Sequence, residues 1–337
     1  MNILILGANG FIGSHLSETI LANKSWHITA MDLTQNNIEA LLKNPRFEFK
    51  AGDITKEKNW IEEKIKEADV VLPLVAIATP AMYVQAPLRV FELDFEANLD
   101  VVRLCVKHKK RVVFPSTSEV YGMCPDKAFD EDTSALVTGP INKERWIYST
   151  VKQMMDRLIY AYGVHEGLPY SLFRPFNWYG ARLDNPLNPK PGASRALTQF
   201  IGNVLRGENI TLVNGGAQQR CFTYVSDGID ALIRIIENKD GCANNGIFNV
   251  GNPYENYSIR QLAEMLIQLI GTSYPAYADK ANAVKLVEVD AKTYYGAGYQ
   301  DVDLRVPSIE KAKTKLDWAP QVGLSDGLRQ TLDFYLK

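Results

Sequence analysis

A tyrosine and a lysine four residues apart, Tyr148 and Lys152, are the residues of this sequence whose types and spacing could do chemistry. In a helix, positions i and i+4 share a face, so the phenol lies beside the ammonium. A neighbouring cation favours the phenolate. The expectation is a tyrosine of lowered pKa, able to exchange a proton with a substrate hydroxyl. The carrier helix is predicted over residues 142–162, where Ile147, Val151, Met154, Leu158 and Ile159 recur at helical spacing.

The elements before that helix look built to hold a dinucleotide. Residues 2–6 are an apolar run that reads as a buried strand, and an amphipathic run follows over 14–22. Between them lie Gly7, Asn9, Gly10, Phe11, Ile12 and Gly13, in GxxGxxG spacing. Glycines there permit a tight turn and close backbone approach, and the helix N-terminus faces a pyrophosphate. A second strand over 27–31 ends at Asp32, whose carboxylate suits adenosine ribose hydroxyls and repels a 2′-phosphate. No arginine follows within 33–35, which favours NAD over NADP. The third strand, 47–50, leads to Asp53 and Ile54, an expected edge of the adenine pocket. The fourth should end near Leu72, because Pro73 is unwelcome inside a central strand, and Ala76 to Pro80 should then lie over the cofactor.

A long helix is predicted over 88–108, a fifth strand over 111–114 and a sixth over 170–174. The fifth runs into Thr117, Ser118 and Glu119, polar groups at the carboxyl end of a parallel strand, where ligands gather. Repeated strand–helix units imply an α/β fold, a Rossmann-like doubly wound parallel sheet with a smaller C-terminal lobe. Residues 1–175 are expected to form the NAD-binding domain. Residues 176–337, with short elements such as 196–206, 226–237 and 259–270, would form mainly a substrate lobe, some segments returning to the first domain.

Composition narrows the field. The 337 residues, 46% hydrophobic and 23% charged, are ordinary for a globular protein. A net charge of −2 gives no electrostatic case for nucleic acid or an anionic membrane as partner. The most apolar run, 70–78, is too short for a membrane span. Met1 stands close to the glycine turn, so no signal peptide and a cytoplasmic location are expected. Four scattered cysteines and four scattered histidines suit neither a disulfide framework nor a metal site.

The set Gly7/Gly10/Gly13, Asp32, the stretch TSEVYG over 117–122 and Tyr148-x-x-x-Lys152 resembles the extended short-chain dehydrogenase/reductases that act on nucleotide sugars. Within them, FPSTSEVYG (114–122), NKERWIY (142–148), FRPFNW (173–178) and YQDVDLR (299–305) are similar to the UDP-glucuronate decarboxylase domain of the bifunctional polymyxin-resistance enzyme. The likeness runs over essentially the whole chain. It does not include the formyltransferase domain of that enzyme, so formylation is not expected.

The resemblance implies oxidation of UDP-glucuronate at C4 by NAD+, then loss of the C5 carboxylate as CO2, giving a UDP-4-keto-pentose and NADH. Tyr148 would take the C4 hydroxyl proton, with Lys152 also holding the nicotinamide ribose and Thr117 bonding the same hydroxyl. Glu119 is implied as a base, Arg305 as an acid, and Ser118 as a neighbour of the carboxylate. An arginine is effectively never deprotonated, so carboxylate binding is the expected role of Arg305. Matching positions place Ala78, Tyr83, Arg145, Asn177, the run from Thr211 to Arg220, and Tyr299 around the UDP-sugar. A homodimer is implied too, paired through helices 88–108 and 142–162. Three other readings fit the same residues: a UDP-xylose synthase that re-reduces the ketone, another nucleotide-sugar epimerase or dehydratase, and a non-catalytic NAD-binding sensor.

Overall fold

The computed structural model describes residues 1–188, 195–295, 300, 302 and 304–337. Short apolar runs alternate with helices in the first half. The strands are β1 (Asn2–Leu6), β2 (His27–Asp32), β3 (Phe47–Ala51), β4 (Val70–Pro73), β5 (Arg111–Pro115) and β6 (Tyr170–Pro175). The helices are α1 (Phe11–Asn23), α2 (Lys58–Glu67), α3 (Pro80–Gln85), α4 (Pro87–Phe91), α5 (Asn98–His108) and α6 (Trp146–Glu166). All six strands pair in parallel, and Gly246–Val250 joins as a seventh beside β6. The sheet therefore runs Gly246–Val250, β6, β5, β4, β1, β2, β3. Chain order reverses between β1 and β4, and such a switch point opens a crevice at the carboxyl ends of the strands.

Period-2 alternation divides the core between two faces. Ile3 and Ile5 of β1 join Leu16 and Ile20 of α1 in one buried cluster. Leu4 and Leu6 join Ile61 and Ile65 of α2, Val101 and Cys105 of α5, and Met155 and Ile159 of α6 in the other. A sheet covered on both faces is the expected doubly wound arrangement.

Two helices differ from the sequence reading. The predicted helix over 88–108 is divided between α4 and α5 by a π-helical turn, Glu92–Ala97. The helix predicted over 142–162 begins at Trp146 and runs to Glu166, ending where Gly167 takes a left-handed φ of 70°. At its start, the Arg145 guanidinium and the Trp146 indole both bond Gln300. Its sheet-facing stripe is Tyr148, Val151, Lys152, Met155 and Ile159, whereas Met154 is 47% exposed. Val151 and Ile159 of the expected stripe are buried, whereas Ile147, Met154 and Leu158 give way to their neighbours Tyr148, Met155 and Ile159.

The short elements expected at 196–206, 226–237 and 259–270 are the helices Ala196–Arg206, Val225–Glu237 and Ile259–Ser273. Among the described residues, no helix is long and apolar enough to cross a membrane, and no group of His, Cys, Asp and Glu side chains could hold a metal ion.

Candidate active site

The glycine turn forms the floor of the switch-point crevice. Gly7 has φ 95°, and a Cβ there would press on the Leu74 and Val75 backbone at 3.0 Å. A Cβ on Gly13 would lie 2.3 Å from the Gly7 carbonyl oxygen, so only glycine lets α1 pack against the turn. The N-terminus of α1 at Gly10 has no side-chain cap, which leaves first-turn amides for an anion. Phe11 and Ile12, in that first turn, are half-buried.

The Asp32 carboxylate accepts from the Asn9 amide at 2.8 Å and the Leu33 amide at 2.7 Å. Burial raises its pKa, and these amides pull it back. The Asn9 side chain donates to Thr34 and accepts from the Asn37 amide, fixing the loop beside Asp32. An uncapped helix start, glycines where a Cβ would clash and a carboxylate at the end of β2 fit the pyrophosphate and ribose of a dinucleotide. Asp53 is spent locally: Thr55 donates its amide and hydroxyl to it, and these bonds hold its pKa down. Ile54 beside it is buried.

Tyr148 and Lys152 are both buried, at 5% and 1% exposure. The phenol ring stacks on Tyr83 of α3, centroids 4.6 Å apart and planes 5° from parallel. Thr117, at the start of a 3₁₀ turn (Ser118–Tyr121), hydrogen-bonds the phenol and caps the turn by accepting from the Glu119 amide. Lys152 turns elsewhere. Its Nζ donates to the Pro115 carbonyl at 3.0 Å and lies 3.9 Å from Asp94.

The direction of the Tyr148 shift is therefore opposite to the i,i+4 expectation. Burial raises its pKa, the nearby Asp94 and Glu119 charges raise it further, and the Thr117 bond only partly opposes them. The Lys152 pKa is itself lowered by burial, with Asp94 and Asp156 working against that.

Beside this pair, two arginines grip one carboxylate. Arg145 donates to Glu119 Oε2 at 2.6 Å, and Arg305 donates to Oε1. Both guanidinium groups are buried, at 2% and 4% exposure, while the Glu119 side chain keeps a 15% exposed edge that a ligand can reach. Burial opposes the Glu119 charge, but Arg145 and Arg305, with Arg220 adding its field, hold the carboxyl at about 2. Arg220 donates to the Val302 carbonyl at 2.8 Å. Among the described residues, the guanidinium groups of Arg145, Arg305 and Arg220 all act on the Glu119 carboxylate.

A folded-state pKa below the ordinary 4.5 means the Glu119 clamp stabilises the fold above that pH. That contribution is lost as pH falls from about 4.5 towards 2. Thermal unfolding followed between pH 7 and 3 should show wild type losing more stability over this window than Glu119→Gln. Parallel curves for the two proteins would remove the clamp as a source of acid sensitivity.

The other anticipated positions divide. Ser118 is buried at the head of the 3₁₀ turn. Ala76 and the exposed Ala78 lie on the loop after β4, which Asp94 and Asn98 hold by its backbone. Asn177, at a left-handed φ of 42°, donates to the Cys221 carbonyl at 3.2 Å. Thr211 is half-buried in strand Ile210–Val213, which pairs with Leu286–Val289 and not with the central sheet. Tyr299 lies outside the described residues.

Three residues escaped the sequence reading: Asp94, Asn98 and Gln300. The first two carried a usable signal, a polar i,i+4 pair on the buried stripe that continues through Val101, Val102 and Cys105.

Fold and site together define a Rossmann-type enzyme with a buried tyrosine–lysine pair beside an arginine clamp. The model of the NAD dependent epimerase/dehydratase family matches residues 3–251, and the chain belongs to that family. NAD is its cofactor.

Among solved structures, the PbgP3 protein from Burkholderia pseudomallei is 54% identical over 99% of this chain and 96% of its own, with a TM-score of 0.89. The UDP-glucuronic acid 4-epimerase from Bacillus cereus, in complex with UDP-glucuronic acid and NAD, is 27% identical over 100% and 99%, with a TM-score of 0.82. The dTDP-glucose 4,6-dehydratase from Bacillus anthracis, in complex with NAD, is 22% identical over 99% and 96%, with a TM-score of 0.79, a likeness of fold alone.

Proposed function

We propose that this protein is a UDP-glucuronate decarboxylase that oxidises the sugar at C4 and then releases the C5 carboxylate as CO2. The observation that carries the reading is the convergence of Arg145 and Arg305 on the single Glu119 carboxylate, next to the Tyr148–Thr117 pair. An acidic sugar entering this pocket needs a charge partner for its carboxylate, and a guanidinium fork suits one. The UDP-glucuronic acid bound by the Bacillus cereus relative supports the substrate class.

In this reading NAD+, held by the glycine turn and Asp32, supplies the hydride acceptor for C4. Tyr148, in its ionised form, takes the C4 hydroxyl proton, and Thr117 orients that hydroxyl. The C4 ketone is β to the carboxylate, so when the C5–C6 bond breaks its electron pair delocalises into the carbonyl as an enolate. Oxidation must therefore precede loss of CO2. Arg305 holds the carboxylate. Glu119 fixes both arginines before substrate arrives and is the candidate base. Ser118, Tyr83 and Ala78 from the first domain, and Asn177, the run from Thr211 to Arg220 and Tyr299 from the lobe formed mainly by residues 176–337, are assigned to the substrate side.

The test is a substrate panel with NAD+. UDP-glucuronate should support CO2 release, whereas UDP-glucose, which has no carboxylate to lose, should give no CO2. Epimerisation of UDP-glucuronate without CO2 would replace this reading with a 4-epimerase.

A homodimer is part of the same reading. Leu88 and Phe91 of α4, and Met154, Tyr160 and Val164 of α6, are large apolar side chains at 37–74% exposure. Stripes of this kind on helices from both paired regions fit a second copy of the chain. Light scattering at micromolar protein should give twice the 37.8 kDa chain mass. A monomer that persists at high concentration would refute it.

A further inference from the structure

Asp94 is a buried acid that the mechanism above leaves without a task. It sits inside the π-helical turn Glu92–Ala97 and is fully buried. A π turn widens a helix by one residue, and such turns recur at functional sites. Here Asp94 of the turn and Asn98, the first residue of α5, both bond the loop after β4. Asp94 Oδ2 accepts from the Ile77 amide at 2.9 Å, and Asn98 Nδ2 donates to the Val75 carbonyl at 3.0 Å. These two bonds bracket Ala76, the residue expected to cover the cofactor. The other carboxylate oxygen, Oδ1, makes no hydrogen bond and lies 3.9 Å from Lys152 Nζ.

The tether to Ile77 does not require a charge. An asparagine would accept that amide equally well, and burying a carboxylate is costly unless a charge compensates it. The charge is spent on the side that faces Lys152.

We propose that Asp94 is a positioning residue: its carboxylate locks the charged Lys152 ammonium and the Val75–Ile77 loop into one geometry, so that lysine and cofactor cover are set together. This rests on the Tyr148–Lys152 assignment above. Lys152 then has a fixed place between the Pro115 carbonyl and Asp94, and its charge survives a site that otherwise drives it off. Removing the carboxylate frees the ammonium to lose its proton at lower pH.

The titratable groups facing Asp94 are Lys152 and Tyr148 from α6 and Tyr83 from α3, with Asp156 on the far side of Lys152. The loop 74–79 carries none, and Glu92 and Glu96 of the turn point to solvent. Burial pushes Asp94 up to about 6, opposed by Lys152 and the Ile77 amide.

The experiment uses full-length protein saturated with NAD+ and labelled at lysine Cε with ¹³C. The Lys152 signal is identified by its loss in Lys152→Met, and wild type is compared with Asp94→Asn. The Lys152 midpoint should fall in Asp94→Asn, and the alkaline limb of kcat should move to lower pH with it. At neutral pH kcat should drop about ten- to a hundredfold, a scale typical of misplaced catalytic groups, while KM for UDP-glucuronate stays within about threefold. An unchanged Lys152 midpoint overturns the proposal and leaves Asp94 as a loop tether.

Should Asp94→Asn fail to fold, wild type alone decides. The Lys152 signal must shift as Asp94 takes up its proton, and a signal flat across that range overturns the proposal. The titration does not depend on turnover, so a chain that released no CO2 would count against the decarboxylase assignment alone.

Discussion

Tyr148→Phe should fold, bind NAD with wild-type affinity and lose turnover by about 10²–10⁴-fold, the usual cost of removing a positioned acid–base group. The substitution deletes one oxygen from a ring that is 5% exposed and stacked on Tyr83, and the stack survives it. Thr117 keeps its bond from the Glu119 amide, so the 3₁₀ turn stays capped. What disappears is the hydroxyl that exchanges a proton with C4–OH. Burial, Asp94 and Glu119 all disfavour the phenolate, so the wild-type rate should climb with pH before Lys152 deprotonates. Calorimetry with NAD+ and stopped assays across pH separate the two effects. Turnover near wild type would remove Tyr148 from the chemistry.

Arg305→Met should leave NAD affinity unchanged and weaken UDP-glucuronate binding. Truncating one partner of a buried charge pair costs roughly 2–5 kcal/mol, or about 30-fold to several thousandfold in affinity. Two consequences separate this from simple destabilisation. Glu119 would keep Arg145, so its carboxylate is not stranded. Lysine at position 305 should rescue poorly, because a point charge cannot reproduce the guanidinium fork. Glu119→Gln should behave differently, binding substrate while slowing the chemistry. Calorimetry with UDP-glucuronate on all three variants tests the pattern. Normal binding and decarboxylation by Arg305→Met would show that the carboxylate is held elsewhere.

Much of the nucleotide half was legible from local pattern. β1, the glycine turn and Asp32 follow from an apolar run, positions where a Cβ would clash, and an acid at a strand end. Each of these signals acts over a few residues. Helical spacing likewise brought Tyr148 and Lys152 to one face, but it says nothing about which groups approach that face from other elements. Burial of the phenol, with the Asp94 and Glu119 charges brought in from other elements, is what reverses the expected Tyr148 shift. Arg305 meets Glu119 across 186 residues, and nothing in the spacing of either predicts it; only the resemblance of residues 299–305 pointed there. The π turn at Asp94 was hidden for a related reason. One extra residue in a helix shifts the apolar stripe without breaking it, so the helix over 88–108 reads as continuous.

The central claim is that oxidation at C4 leads to loss of the carboxylate carbon, and one measurement bears on it directly. Purified protein is mixed with NAD+ and UDP-glucuronate carrying ¹⁴C at C6, and trapped ¹⁴CO2 is counted while absorbance at 340 nm is followed. The account predicts labelled CO2 from wild type and none from Tyr148→Phe beyond the residual turnover given above. Full recovery of the label in a nucleotide sugar, with wild-type protein folded and NAD bound, would contradict it.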